Sequence, residues 1–291
     1  MTKIILAIDF NNFVFRGYYG DKQYNSRGMN VNAIKNFFFK LRALKDSMNP
    51  DYIVFADDLP TRDKLFRRKL YKGYKAQRKP KDEDIIEQMK WIQQITSLLG
   101  YPFIHHEEYE ADDVLGMIAT LGSEHDMDVI IVSSDRDLYQ LVSEHVYIYS
   151  FRDSNLLDAA WLDENYRLTP QQWIELKMLQ GDRSDNIPGV EGIGEVTALK
   201  LLQHYHDIPS IYNHLGYLKP KTKLLLEQGK DGLDLTRELV TIITDYHRLN
   251  LSLQDLERKE IDRNEVLRSL DQLELDLHHV MNYSLFHGKI E

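Results

Sequence analysis

The chain has 291 residues, 43% hydrophobic and 28% charged, so it can bury a sizeable core in one large domain or two closely joined ones. It contains no cysteine, which excludes disulfides and thiolate zinc sites and suits a reducing compartment. The formal net charge of −10, taken alone, argues against a polyanionic partner, and the short apolar run before Asp9 excludes a signal peptide or a membrane span there.

Residues 4–8 are apolar without a polar break, as expected of a strand buried on both faces. Over 32–48, Ile34, Phe37, Phe38, Leu41, Leu44 and Met48 share one helical face. Residues 52–56 read as a second buried strand. The stretch 62–81 then holds Arg62, Lys64, Arg67, Arg68, Lys69, Lys72, Lys75, Arg78, Lys79 and Lys81 against Asp63 alone. Ten minus one gives +9, leaving −19 for the rest. With Phe66, Tyr71 and Tyr74 interleaved, this stripe suits tracking of a phosphate backbone with stacking faces. The bland alternative is a solvated helix face, which ordinarily mixes both signs.

Ile85, Met89, Ile92, Ile95 and Leu99 mark a helix stopped by Gly100. Further strands are expected at 101–104, 129–132 and 146–149, and helices at 111–121 and from 138. From about residue 160 the strand signal fades, and 173–179 and 196–202 look helical. Alternating strands and helices predict an α/β domain over 1–160 with a mostly parallel sheet, followed by a helical region over 161–291. In such sheets the ligand site lies outside the carboxyl ends of the strands.

Asp9, Asp57 and Asp135 each fall at or just beyond such an end. Glu110, Asp112 and Asp113 open a helix, Asp137 follows Asp135, and Asp182 and Asp185 flank a polar loop before Pro188. Acids in a first helical turn gain about 0.3–1 kcal/mol from the helix dipole, which could explain any one group. It does not explain why several converge on one rim. Carboxylates gathered by a fold repel one another unless cations lie between them, and hard ions such as Mg²⁺ choose all-oxygen ligands. Seven or more are too many for one ion; two ions about 4 Å apart could use them on a phosphodiester. Asp58 competes with Asp57 for the strand-end role.

Gly189, Gly192 and Gly194 lie in a turn between two helices. Such spacing allows close backbone approach to a ligand, and the following helix aims free N–H groups at the same place. This pattern resembles a helix-hairpin-helix over about 173–205 that grips a duplex backbone without reading bases.

Three blocks now point one way: Tyr-Glu-Ala-Asp-Asp-Val-Leu at 109–115, Ser-Ser-Asp-Arg-Asp-Leu-Tyr-Gln-Leu at 133–141, and Gly-Asp-Arg-Ser-Asp-Asn-Ile-Pro-Gly-Val-Glu-Gly-Ile-Gly at 181–194. Over about 4–205, in order and spacing, the chain resembles the 5′-nuclease and flap endonuclease family. The resemblance implies a Rossmann-like (PIN-like) domain with a basic helical arch at about 59–100, and a helix-three-turn-helix region. It implies hydrolysis of DNA from 5′ ends and at 5′ flaps with Mg²⁺ or Mn²⁺, leaving a 3′-hydroxyl and a 5′-phosphate. By position, Asp9, Asp57, Glu110 and Asp112 would hold one ion; Asp135, Asp137 and Asp182 would hold a second, with Asp113 and Asp185 acting through water. Lys75 and Arg78 would orient the scissile phosphate, Tyr74 would stack a terminal base, and Arg16 and Lys72 would contact DNA. Gly189, Gly192 and Gly194 would bind duplex, often with a K⁺ ion.

The family commonly has Lys where this chain has Val196, so one phosphate contact would be lost or would move to Lys200. The resemblance also implies a stand-alone monomeric enzyme, cytoplasmic in a bacterial or phage-infected cell, with DNA as partner and no membrane. The rival readings are a catalytically inactive DNA-binding protein of the same fold and an acid-rich phosphatase or RNA-processing relative.

Overall fold

The computed structural model describes residues 2–59, 63–152 and 154–288. Arg62, counted in the basic stripe, lies outside the described residues. The sheet contains β1 (Ile4–Asp9), β2 (Tyr52–Ala56), β3 (Phe103–Ile104), β4 (Asp128–Val132), β5 (Val146–Ser150) and β6 (Asn155–Leu157), in the order β3-β2-β1-β4-β5-β6. All neighbours are parallel except β5 and β6. The sequence reading has no β6, because a strand of three residues with two exposed carries no hydrophobic period.

The helices are α1 (Phe10–Tyr18), α2 (Asn32–Met48), α3 (Phe66–Leu70), α4 (Glu83–Leu98), α5 (Ala111–Ser123), α6 (Ala159–Tyr166), α7 (Pro170–Gln180), α8 (Glu195–Tyr205), α9 (Ile208–Asn213), α10 (Pro220–Gly229), α11 (Leu233–Val240) and α12 (Arg263–Gln272). Alternate residues of the strands face opposite layers. Leu6, Ile8, Phe55 and Val132 pack under α1, α2, α4 and α12, with Phe37 and Phe55 stacked at 5.7 Å. Ile5, Ala7, Val54 and Ile131 pack under α5. A third cluster around Trp173, Leu176 and Leu202 fills the helical region. Among the described residues, no helix is long and apolar enough to cross a membrane.

α1 begins directly after β1, with Asp9 as its cap: Asn12 N donates to Asp9 Oδ1 at 3.1 Å. The helix expected from residue 138 is instead a 3-10 turn, Arg136–Leu141, capped by Asp135. Among the described residues of the basic stripe, only α3 is helical. Beyond it, Lys75 takes the left-handed region (φ 51°), and turns replace a continuous helix.

Candidate active site

Strand register builds the rim. Asp9 pairs with Ala56, so Asp57 and Asp58 follow beside it; Ile8 pairs with Val132, so Ser133 stands level with Asp9. Ser133 Oγ donates to Asp9 Oδ2 at 2.9 Å and accepts from Asp135 N at 3.1 Å. Asp135 Oδ1 in turn accepts from Asp137 N at 2.9 Å. The β1–β4 junction is where the chain order reverses, the usual ligand crevice of such sheets. α5 aims its N-terminus at the same crevice and brings Glu110 and Asp112.

The two acids after β2 divide their roles. Asp58 Oδ1 accepts from Ala111 N at 2.8 Å and so ties β2 to the start of α5. Its charge also pushes the Asp9 carboxyl upward. Asn11 Nδ2 lies 3.3 Å from both Asp57 Oδ1 and Asp58 Oδ2. Asp57 lines, with Asp58, Lys75, Arg78, Lys79 and Lys81, a cleft of about 760 Å³ beside the rim.

The rim is electrostatically strained. Burial, then Asp58 and Asp135, push Asp9 up to about 7. Burial, then Asp135 and Asp9, push Asp112 well above the usual carboxylate range. Burial and Asp58 raise Asp57 to about 6; burial and Asp135 raise Asp137 to about 6. A buried carboxylate resists ionisation most when its neighbours carry the same sign.

Cations reach into the other half. Lys75 Nζ lies 2.5 Å from Glu110 Oε1 and 3.3 Å from Asp185 Oδ2, and Arg78 Nη2 lies 2.5 Å from Asp185 Oδ1. Despite its burial, Lys75, then Arg67, hold Glu110 below its ordinary value. Lys177 sits between Asp137 and Asp182. Against burial, bonds from Lys177 and Ser184 keep Asp182 at about 2. Among the described residues, no three carboxylates converge as a ready-made cation cage.

Two expected roles need correction. Asp113 is fully buried, and its oxygens are taken by Arg67 Nη1 at 2.5 Å and Nη2 at 2.8 Å, and by the N–H groups of Glu110 and Ile243. It braces the start of α5 rather than facing the crevice. Tyr74, 2% exposed, packs in the helical core and donates to Glu110 Oε2 at 2.5 Å, so its ring is not available to stack a terminal base in this arrangement. Arg67 also donates to Leu239 O and Thr241 O, joining the stripe to the helical region. Arg67→Met should therefore strand the Asp113 charge and destabilise the fold by about 3–5 kcal/mol, read from urea unfolding at neutral pH.

The remaining expected contacts lie on the surface. Lys72 and Lys200 are exposed. Arg16, also exposed, lies in the last turn of α1 with its guanidinium 4.5 Å from the Phe151 ring centre. In the hairpin between α7 and α8, a Cβ on Gly189 would meet Gly181 N at 2.2 Å, and Gly192 has φ 80°. Gly194 caps α8 with open space beside it. Val196 is 67% exposed on that first turn. Sequence reasoning missed Arg67 as a buried brace, Ser133 and Asn12 as bonds to Asp9, and Lys177. Only Lys177 leaves a trace in the sequence, since it shares the buried face of α7 with Trp173 and Leu176.

Comparison with known proteins adds a lineage. A family model described as 5′-3′ exonuclease, N-terminal resolvase-like domain, matches residues 4–167. A second, described as 5′-3′ exonuclease, C-terminal SAM fold, matches residues 168–264. The thermostable DNA polymerase I of Thermus aquaticus is 36% identical over 272 residues, covering 93% of this chain and 32% of the polymerase. DNA polymerase I of Caldicellulosiruptor bescii is 33% identical over 277 residues, covering 93% of this chain and 32% of that protein. The chain thus spans about a third of the length of these curated relatives. Among solved structures, T5 5′-exonuclease with bound divalent metal ions (zinc) has a TM-score of 0.71 at 20% identity, covering 93% of this chain and 99% of that one. The catalytic core of Rad2 in complex with DNA substrate has a TM-score of 0.60 at 15% identity, covering 92% and 86%. At these identities the two structures establish a shared fold.

Proposed function

Because the chain belongs to the 5′-3′ exonuclease family, we propose that it is a structure-specific nuclease that hydrolyses DNA from 5′ ends and at 5′ flaps, using Mg²⁺ or Mn²⁺. The observation that carries this reading is the rim itself. Asp9, Asp58, Asp112 and Asp135 gather at the carboxyl ends of adjacent strands, and among the described residues Asp9 and Asp112 have no ion-pair partner. These all-oxygen, under-neutralised carboxylates are of the kind a hard divalent ion takes, and they would draw together around it, since no three among the described residues already form a cage. Asp9, Asp58, Glu110 and Asp112 would hold one ion, and Asp135, Asp137 and Asp182 a second, with Asp57 and Asp185 beside them. When bound, such ions lower the pKa of water and neutralise charge on the attacked phosphate and the departing oxygen.

The chain's own groups do the rest. Lys75 and Arg78 enter the crevice from the stripe, placed to orient a phosphate and to meet its growing charge. Asp185 holds both cations in place, and Glu110, itself bonded by Tyr74, holds Lys75 as well. The free N–H groups at the start of α8 and the hairpin backbone would hold the duplex, with a K⁺ ion at the hairpin carbonyls as part of the same reading. Lys72, Lys79 and Lys200 would add long-range attraction.

Metal-free stability follows from the raised carboxyls. Asp9 at about 7, and Asp57 and Asp137 at about 6, bind protons in the folded state that the unfolded chain has already lost. In EDTA, stability should fall as pH rises from about 4 to about 7, and excess Mg²⁺ should recover it most at the upper end. Thermal unfolding across that range reads both effects; a flat EDTA profile contradicts the strained rim. Substrate class is tested by incubating matched 5′-flap, nicked and blunt duplexes with Mg²⁺. Preferred cutting at the flap supports the reading, and equal cutting of all three rejects structure specificity.

A further inference from the structure

Lys177 is 9% exposed, on the α7 face that carries Trp173 and Leu176. Its Nζ donates to Asp182 Oδ2 at 2.7 Å and contacts Asp137 Oδ1. The other oxygen of Asp182 is already committed. It accepts from Ser184 N at 2.7 Å, Ser184 Oγ at 2.6 Å and Asp185 N at 3.1 Å. A divalent ion arriving at Asp137 and Asp182 therefore meets an ammonium seated on the oxygens it would use.

The opposite end of the rim differs. Among the described residues, Asp9 is hydrogen-bonded by neutral groups only, Asn12 N and Ser133 Oγ. Among the described residues, no Lys or Arg forms an ion pair with Asp9 or Asp112. Asp137 and Asp182 thus carry their own counter-charge, as Glu110 does through Lys75 and Arg67, while Asp9 and Asp112 do not. Two cations a few ångströms apart in a partly dry crevice repel strongly, so the ammonium and an incoming ion cannot share these oxygens without loss.

Resting on the metal-assisted reading above, we propose that Lys177 is a built-in counter-cation. It holds Asp137 and Asp182 together before an ion arrives, and it makes the ion at those two acids bind second and weakly, by displacing the ammonium from Asp182. The ion near Asp9 and Asp112 binds first: Lys75 and Arg67 pair with Glu110 beside it, but among the described residues no ammonium sits on Asp9 or Asp112 themselves. Lys177 is a positioning residue in this scheme. Its flexible stem allows withdrawal, which a rigid guanidinium fork would resist.

The test is Mn²⁺ binding to the full chain without DNA, by calorimetry and by the free-ion paramagnetic signal. The wild type should show a tight and a weak class of site. Lys177→Gln should tighten the weak class about tenfold and leave the tight class nearly unchanged. Lys177→Met supplies the same removal of charge should glutamine disturb the packing, and Lys177→Arg should keep the weak class weak. A weak class unchanged or further weakened in both neutral variants, with two classes still present, overturns the role of Lys177 alone. No Mn²⁺ bound by any of the proteins overturns the metal reading and this proposal together.

Discussion

Asp135→Asn should slow single-turnover cleavage of a 5′-flap by about 10³-fold while leaving duplex affinity nearly unchanged. Asp135 is the shared neighbour of the rim: its charge raises Asp9, Asp112 and Asp137 alike. Asparagine keeps the shape and can still accept from Asp137 N, so the cap on the 3-10 turn survives. What is lost is one negative oxygen where a cation must be held. The hairpin that would grip the duplex lies on other elements and is untouched. The same change relieves repulsion, so stability in EDTA at neutral pH should hold or rise. Unchanged turnover would remove Asp135 from the metal assignment, and a large loss of EDTA stability would mark it as a structural residue.

Lys75→Ala should lower the rate constant for cleavage by about 10²-fold, roughly 2.7 kcal/mol, with a much smaller change in Kd. The Lys75 side chain is 7% exposed and its Nζ touches Glu110 and Asp185, so it sits inside the crevice rather than on an outer face. Its left-handed backbone and the bond from its N–H to Asp185 O aim it there. Glu110 keeps Tyr74 and Arg67 after the truncation, which limits collateral unfolding. Lys75→Arg should restore little, since a planar fork does not fit the space of a compact ammonium between two carboxylates. Equal losses in rate and affinity would make Lys75 a binding residue only.

The parts of this site visible in the sequence are those with local causes. Asp9 and Asp135 stand where apolar runs stop, and Glu110 and Asp112 open a periodic helix, so strand ends and helix starts were readable from neighbours. A mostly parallel sheet was implied by the alternation of elements, but not the order of its strands. Hidden were pairings between distant segments. Arg67 counts as one more charge in a basic stripe until Asp113, Leu239 and Thr241 are brought to it. Tyr74 looks like a stacking face until it enters the core around Trp173. Asp57 and Asp58 are adjacent and alike in sequence; the bond from Ala111 N and the charge that Asp58 brings to bear on Asp9 separate them. β6, with one buried residue, has no pattern to read.

The central claim is that carboxylates on the strand-end rim hold divalent ions that cut DNA from its 5′ side. The most direct measurement follows a flap labelled at its 5′ end, and the same flap labelled at its 3′ end, with the full chain in Mg²⁺, in EDTA, and in EDTA followed by excess Mg²⁺. The account predicts that a labelled fragment leaves the 5′ end in Mg²⁺, that EDTA stops its release, and that excess Mg²⁺ restores it. Release from the 3′ end, cleavage that persists in EDTA, or duplex binding with no cleavage under any of these conditions would contradict it.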